Sequence, residues 1–259
     1  MMLDDLFFQI IGKLRCLPSL FVSVCNFFLC VAAVFITKRK FGYAGLCSYM
    51  VLASIIANIQ VLYATSYEIV NMEVLLGTIV FSSSFLACDM INMEYGAEKA
   101  RQAVYLTVLT DIFFLLNIML TLGHQTIDYA KYPNFSIPKE AIEMNVSSIK
   151  QIFLPGPRLL VASYTAYLFS QLSEIWLLNL FEKVQWIKSR FAKHNLSLFI
   201  SNICIDTIVF TSIGMCFLSN QPLSFKDIKE ISISAIAIRF FCNIGNIIFL
   251  KTLKPKLEK

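Results

Sequence analysis

Charge is what this sequence has least of. Asp, Glu, Lys and Arg make up 15% of its 259 residues, while 57% are apolar. Soluble domains carry about 25% charged residues, and a mean hydropathy of +0.68 is more than a water-facing surface sustains. The composition excludes a disordered chain and a basic nucleic-acid binder. Nine glycines and seven prolines are too few for a collagen-like chain, and the glycines form no phosphate-binding loop. The two histidines, His124 and His194, fall in connections. No His-based metal centre and no Ser-His-Asp arrangement within a membrane can be built from them. Eight cysteines are present, none in a C-x-x-C pair and nearly all inside apolar runs. They read as small packing residues rather than as a disulfide framework. The expectation is therefore no enzyme, no metal and no cofactor. The net charge of +5 has to be read by location, because in a membrane protein basic residues report topology.

What is abundant is apolar sequence in long stretches. Seven runs are of about 20 residues or more, the length that crosses a bilayer as a helix. They are Leu17–Thr37, Tyr43–Tyr63, Val74–Met93, Ala103–Leu122, Arg158–Phe181, Ser197–Leu218 and Ile231–Leu250. The dyad alternation of an outer-membrane barrel is absent, so helices are the remaining way to satisfy the backbone in lipid. The expected fold is an all-α integral membrane protein, one transmembrane domain over residues 1–259 with seven spans. The first run is followed by Lys38-Arg39-Lys40 and lacks an A-x-A site, so it reads as a retained span rather than a signal peptide. Outside the long 123–157 connection, Lys and Arg number 13 on one side and 4 on the other. That imbalance predicts a cytoplasmic C-terminus and, with seven spans, an outer N-terminus. In the long connection Ile142, Val146, Ile149 and Ile152 form one helical stripe among Lys139, Glu140, Glu143 and Lys150. A short amphipathic helix on the outer face is expected, serving as a connector or a lid.

Ionisable groups inside a span cost at least about 2.5–3.5 kcal/mol at the bilayer centre and so mark function by default. Asp89, Asn92 and Glu94 close the third run, and Asp111 stands mid-way in the fourth. Gln171 and Glu174 lie three apart in the fifth, and Asn202 and Asp206 four apart in the sixth. Arg239, Asn243 and Asn246 follow at i, i+4 and i+7 in the seventh, and Asn58 and Gln60 sit in the second. Such spacings put each set on one helical face. Counted from the inner ends of their spans, Asp89 and Asn246 come at about 6 Å, Glu174 at about 10 Å, Asp206 at about 13 Å and Arg239 at about 16 Å. A common level in the inner half of the bilayer, and hence one shared site, is expected. Three carboxylates there face a single fixed cation, Arg239. A fork can satisfy one pair, and the remaining acids call for protonation, hydration or a donor-rich ligand. An NH–C–NH₂ edge suits, since a carboxylate accepts both protons in parallel. Asp111, alone on an apolar face, reads as an interhelical hydrogen bond, and on sequence grounds Asn58 and Gln60 read mainly as packing. Phe85, Tyr95, Tyr167, Trp176 and Phe210 could stack on a flat ligand, but with 23 phenylalanines in the chain each reads first as core or membrane belt.

Several runs carry a resemblance. They are Ala57-Asn58-Ile59-Gln60-Val61; Ser84-Phe85-Leu86-Ala87-Cys88-Asp89 through Glu94-Tyr95-Gly96 and Glu98-Lys99-Ala100; Pro157-Arg158 with Ala166-Tyr167-Leu168-Phe169-Ser170-Gln171; and Asn195-Leu196-Ser197 followed by Asp206-Thr207. In order, from about Tyr43 to Leu250, the chain resembles the queuosine precursor transporter family within the vitamin uptake transporters. That extent sets a six-helix core beside the extra N-terminal span. Departures keep hydrogen-bonding character: Cys88 stands before Asp89 where Thr is usual, Glu174 where Asp is favoured, Asn202 for Gln, Arg239 for Lys and Asn246 for Asp. The resemblance implies uptake of a 7-deazaguanine, namely 7-cyano-7-deazaguanine, 7-aminomethyl-7-deazaguanine or queuine, for tRNA queuosine salvage. It also implies a multi-pass protein of the bacterial inner membrane.

On this reading the substrate residues are Asp89, Glu174, Asp206, Asn202, Gln171, Asn58, Gln60, Arg239 and Asn246. Arg239 neutralises one carboxylate. Glu94, Tyr95, Phe85 and Tyr167 stand at the inner mouth or behind the site. The partners are a small-molecule 7-deazaguanine and the lipid bilayer, not nucleic acid, and a homo-oligomer is left open. The rival reading is a substrate-binding membrane subunit energised by a separate ATP-driven module, since the chain has no P-loop of its own.

Overall fold

The computed structural model describes residues 2–67, 72–132, 135–153, 157–184, 193, 196–197, 199–218 and 225–253. Helix α1 is Met2–Arg15 and α2 is Ser19–Gln60. Strands β1 (Ala64–Tyr67) and β2 (Met72–Leu75) precede α3 (Thr78–Tyr95) and α4 (Ala97–Gly123). Then come α5 (Lys139–Phe153), α6 (Pro157–Glu182), a π-helical segment Phe199–Ile205 that runs into α7 (Asp206–Leu218), and α8 (Phe225–Leu253). Of the residues counted above, His194, Lys188, Arg190, Lys254, Lys256 and Lys259 lie outside the described set.

Helix α2 is two limbs rather than one rod. Gly42 interrupts it at φ 58°, ψ −133°. A Cβ on Gly45 would stand 2.3 Å from the carbonyl oxygen of Thr37, and the Cys30 thiol reaches Tyr49. In a straight helix those last two would be about 29 Å apart. The chain therefore doubles back at Gly42, a reversal an L-residue resists. The first two apolar runs are the two limbs.

Helix α3 is the axis of the structure. Every residue from Ile79 to Ile91 is buried, as expected for a helix apolar on all sides and enclosed by others. Both limbs of α2, together with α4, α6 and α8, pack around it. Helix α4 buries only Ala100, Ala103, Val104, Thr107 and Asp111. Its opposite face exposes Leu106, Leu109, Phe113 and Leu120, a surface suited to lipid. Ser19–Gln60 and Ala97–Gly123 are long and apolar enough to cross a membrane.

Three features depart from the expected layout. The run ends placed at Tyr63 and Val74 retreat to Gln60 and Thr78, because the chain between them forms an antiparallel hairpin. Its register is Ala64↔Leu75, Thr65↔Val74, Ser66↔Glu73 and Tyr67↔Met72. Short aromatic and β-branched stretches on either side of a turn pair as strands even where their hydropathy continues a helix. Tyr67 and Val74 turn inward onto Ile79, Ile238 and Cys242, and the Tyr67 hydroxyl donates to Ser23 at 2.6 Å. Second, α1 was not anticipated, although Leu6, Phe7, Ile10, Ile11 and Leu14 recur at helical spacing. It is too short to span. Third, the sixth run is not a uniform α-helix but changes from π to α at Asp206. The amphipathic helix of the long connection is α5. Its Ile142, Val146 and Ile149 are half-buried, but Phe153 rather than Ile152 makes the inward contact, 5.9 Å from Phe114 of α4.

At the α2–α3 end of the bundle Gly77 adopts φ 97°, and a Cβ there would lie 2.5 Å from the carbonyl oxygen of Ala57. Gly77→Ala combines left-handed strain with a backbone collision. It should destabilise the fold by on the order of 2 kcal/mol or more. Thermal unfolding of the detergent-purified variant checks this, and an unchanged midpoint would contradict the close approach.

Candidate functional site

Four helices place polar side chains inward around α3. Helix α3 contributes Phe81, Ser82, Phe85 and Asp89, and α6 contributes Tyr167, Ser170, Gln171 and Glu174. Helix α7 begins with Asp206 and Thr207, and α8 carries Arg239, Asn243 and Asn246. All but the half-buried Thr207 are buried.

One tier is an ion pair. An Arg239 Nη2 group contacts Asp206 Oδ2, and Nη1 donates to the Thr207 hydroxyl at 3.0 Å. The guanidinium lies 5.9 Å over the Phe81 ring. The second oxygen of Asp206 accepts the Ser170 hydroxyl at 3.3 Å. The cation of the cluster is thus engaged by one of the three acids, in the arrangement that makes a buried pair tolerable: a short contact with further hydrogen bonds on both partners.

One turn further along α6 the character changes. The Glu174 carboxyl faces that of Asp89 at hydrogen-bonding range, and neither Glu174 oxygen meets a donor. Two ionised carboxylates facing each other in such a place repel, so the acids call for a hydrogen-bond donor from outside the pair. Cys88 borders it. Between the tiers, Gln171 is wholly buried with both amide atoms unpartnered. Buried polar atoms without partners are rare in folded proteins, and here donor and acceptor stand beside an acid with two open oxygens. The flank is aromatic. Phe81 and Phe85 are 5.5 Å apart, Phe81 and Tyr167 5.4 Å, and Phe85 and Tyr167 6.5 Å, all edge to face. The Tyr167 hydroxyl is held by Ser84 at 3.1 Å. Chemically the arrangement presents acceptors, one amide and ring edges. It contains no paired nucleophile and base. Among the described residues no three His, Cys, Asp or Glu side chains gather as a metal site.

The remaining expected residues lie elsewhere. Asn246 donates to the carbonyl of Ser82 at 3.2 Å, seven residues from Asp89, or about 10 Å along α3. The common level expected for Asp89 and Asn246 is therefore not met: Asn246 stands level with Ser82. Asn58 donates to the Ser54 carbonyl of its own helix at 2.9 Å, and Gln60 stands at the end of α2. No described hydrogen bond joins either to the acids. The Asn202 side chain lies outside the described residues, within the π-helical segment. Glu94 pairs with Lys38 near the α2 reversal. Tyr95 packs on Tyr43 at 5.5 Å, with its hydroxyl 3.3 Å from where a Gly42 Cβ would be. Lys99 covers the Tyr43 ring at 5.5 Å. The Glu94-Tyr95-Gly96 block thus clamps the reversal of α2 rather than meeting Asp89. Trp176 is 63% exposed and turns away. Phe81 was not singled out in the sequence, and Ser170 and Thr207 entered only as members of the resembling runs and were given no role, being small hydroxyls within apolar stretches. A further buried contact, Ser54 donating to Asp111, joins α2 to α4.

A family model described as a vitamin uptake transporter matches residues 75–252, the stretch that contains all four helices of the cluster. Over 230 residues, 85% of this chain and 86% of the other, the sequence is 24% identical to a Bacillus subtilis (strain 168) protein named "Probable queuosine precursor transporter". No solved structure matches. The family match and the relative's name point to a transporter of a small molecule rather than an enzyme, and apolar helices exposing large hydrophobic side chains agree with a membrane protein. The chain belongs to the vitamin uptake transporter family.

Proposed function

We propose that this protein is a seven-span importer of the bacterial inner membrane that carries queuosine precursors of the 7-deazaguanine class. The observation that carries the reading is Glu174, buried against Asp89 with both oxygens open, beside Gln171 with a free amide. A guanine-like ring offers N1–H and an exocyclic amine side by side, which the acidic pair accepts, and a ring carbonyl, which the Gln171 amide can donate to. Phe81, Phe85 and Tyr167 supply edges for a flat bicycle. Arg239 holds Asp206, and through Ser170 that pair orients α6. Asn202 is assigned to the same site from its spacing to Asp206 in the sequence, Asn246 braces α8 against α3 through the Ser82 carbonyl, and Asn58 and Gln60 stand toward the opposite end.

Each of the seven apolar runs lies largely on a helical segment among the described residues, which supports reading residues 1–259 as one transmembrane domain. Lys38, near the α2 reversal, meets Glu94, and Lys99 lies against Tyr43. This groups Lys38, Arg39, Lys40, Lys99 and Arg101 at one end of the bundle. The positive-inside rule makes that end cytoplasmic, along with the C-terminus.

The test is complementation of a strain unable to synthesise queuosine. The strain expresses this chain and is fed 7-cyano-7-deazaguanine, 7-aminomethyl-7-deazaguanine or queuine in turn, with tRNA modification as the readout. Restoration by at least one base at low supply is expected. Failure of all three would overturn the substrate class. Uptake by the purified chain alone in liposomes distinguishes a self-sufficient carrier from a subunit that needs an ATP-driven partner.

A further inference from the structure

Outside the acidic pair and the Asp206–Arg239 ion pair, the described structure holds one more fully buried carboxyl, Asp111, which the substrate site does not use. It stands near the middle of α4, about 20 Å from either helix end at 1.5 Å per residue. The Ser54 hydroxyl of α2 donates to its Oδ2, while Oδ1 has no partner. The groups around it are Ser54 and, one turn on, Asn58 from α2; Thr107 from its own helix; and the phenols of Tyr164 and Tyr167 from α6. No Lys, Arg or His is described among them.

An ionised carboxylate so placed keeps one oxygen without a donor in the apolar middle of the bundle, which is costly. A proton on that oxygen removes the charge and leaves the Ser54 bond intact. Sodium suits the place poorly, because hard cations take about six oxygens and here the nearest hydroxyl is spent donating to the acid. Tyr167 links this group to the substrate site. Its hydroxyl is within reach of Thr107 and Ser84, and Gln171 follows one turn along α6.

We propose that Asp111 is the ion-coupling site of this carrier, taking up one proton from the outer side and releasing it to the cytoplasm in each import cycle. No bond of the substrate changes. The proton alone is exchanged, from the carboxyl of Asp111 to water, and one positive charge enters with each neutral base. The α2–α4–α6 packing closes around the neutral acid and opens around the ionised one, with Tyr167 transmitting the difference to Gln171 and Glu174. This inference rests on the carrier reading above.

Two measurements decide it. In liposomes containing the full chain, with 7-cyano-7-deazaguanine as probe, one pH unit of gradient (outside acidic) supports about tenfold accumulation at one proton per base. Wild type is expected to reach it and to lose it when the gradient is dissipated. Asp111→Asn is expected to equilibrate the probe without accumulating it, while still exchanging internal for external probe. Tenfold accumulation by Asp111→Asn, or loss of exchange with it, overturns the proposal. The second measurement needs no substrate. Infrared difference spectra of the purified protein between acid and alkaline pH should contain a carboxylic-acid C=O band that Ser54→Ala shifts and Asp111→Asn removes. Absence of a Ser54-sensitive band also overturns it. If wild type neither binds nor exchanges the probe, the substrate reading fails and the infrared band alone decides the role of Asp111.

Discussion

Glu174→Gln and Asp89→Asn each abolish uptake of a 7-deazaguanine while the protein still inserts and folds. The amides keep the size of the side chains and their fit against Cys88. What they remove is the acceptor edge. A carboxylate accepting N1–H and the exocyclic amine makes two charge-assisted hydrogen bonds, each contributing about 1.5–3 kcal/mol. An amide turns one acceptor into a donor aimed at a donor. Losing about 3 kcal/mol weakens binding by roughly a hundredfold, so transport at low supply falls below detection. Folding should not suffer, because replacing one acid of a facing pair relieves repulsion. Radiolabelled uptake, normalised to membrane protein, checks the first half, and the thermal unfolding midpoint checks the second. Wild-type accumulation in both variants would remove these acids from the substrate site.

Arg239→Met has the opposite signature, a loss of folded protein. It strands Asp206, which is buried and held otherwise by the Ser170 hydroxyl. Removing one partner of a buried ion pair typically costs about 3–5 kcal/mol. The double change Arg239→Met with Asp206→Asn should restore much of the folded yield, since no uncompensated charge remains, without restoring transport. Arg239→Lys keeps the charge but has no planar fork to reach Asp206 and Thr207 together. It should fold better than Arg239→Met while still losing stability. Fluorescence-detected size exclusion across a temperature series ranks the three. Equal stability of Arg239→Met and wild type would mean that the pair does not hold α7 to α8.

The helices were largely legible in advance because length and hydropathy are local properties, and each apolar run falls largely on a helical segment. The β-hairpin was not, because Leu62, Tyr63, Val74 and Leu75 extend their neighbours' hydropathy across its ends, and only the pairing across the turn makes strands of Ala64–Tyr67 and Met72–Leu75. Counting one arginine against three acids anticipated that one acid would be neutralised and the others left over. It did not say which, since Asp206 and Arg239 are 33 positions apart and only the packing of α7 on α8 brings them together. Depth counting from helix ends failed for Asn246 because it assumes that the run ends are level with one another, whereas the packing sets Asn246 beside Ser82. The Ser54–Asp111 contact was invisible for the same reason as Ser170: one hydroxyl in an apolar helix is most often bonded to its own backbone. Glu94 and Tyr95, prominent in the resemblance, brace the α2 reversal instead of meeting Asp89.

Asp206 stands where a wide coil meets a regular one. The i→i+5 bonds of Phe199–Ile205 store extra backbone within an otherwise ordinary rod. If that surplus slid past the junction, the carboxylate would swing about the rod's axis and let go of the guanidinium, while both ends of the rod stayed anchored at their lipid boundaries. Opening the lock would then require no tilt of a whole helix, only a travelling defect, as a wrinkle crosses a carpet whose edges are nailed down.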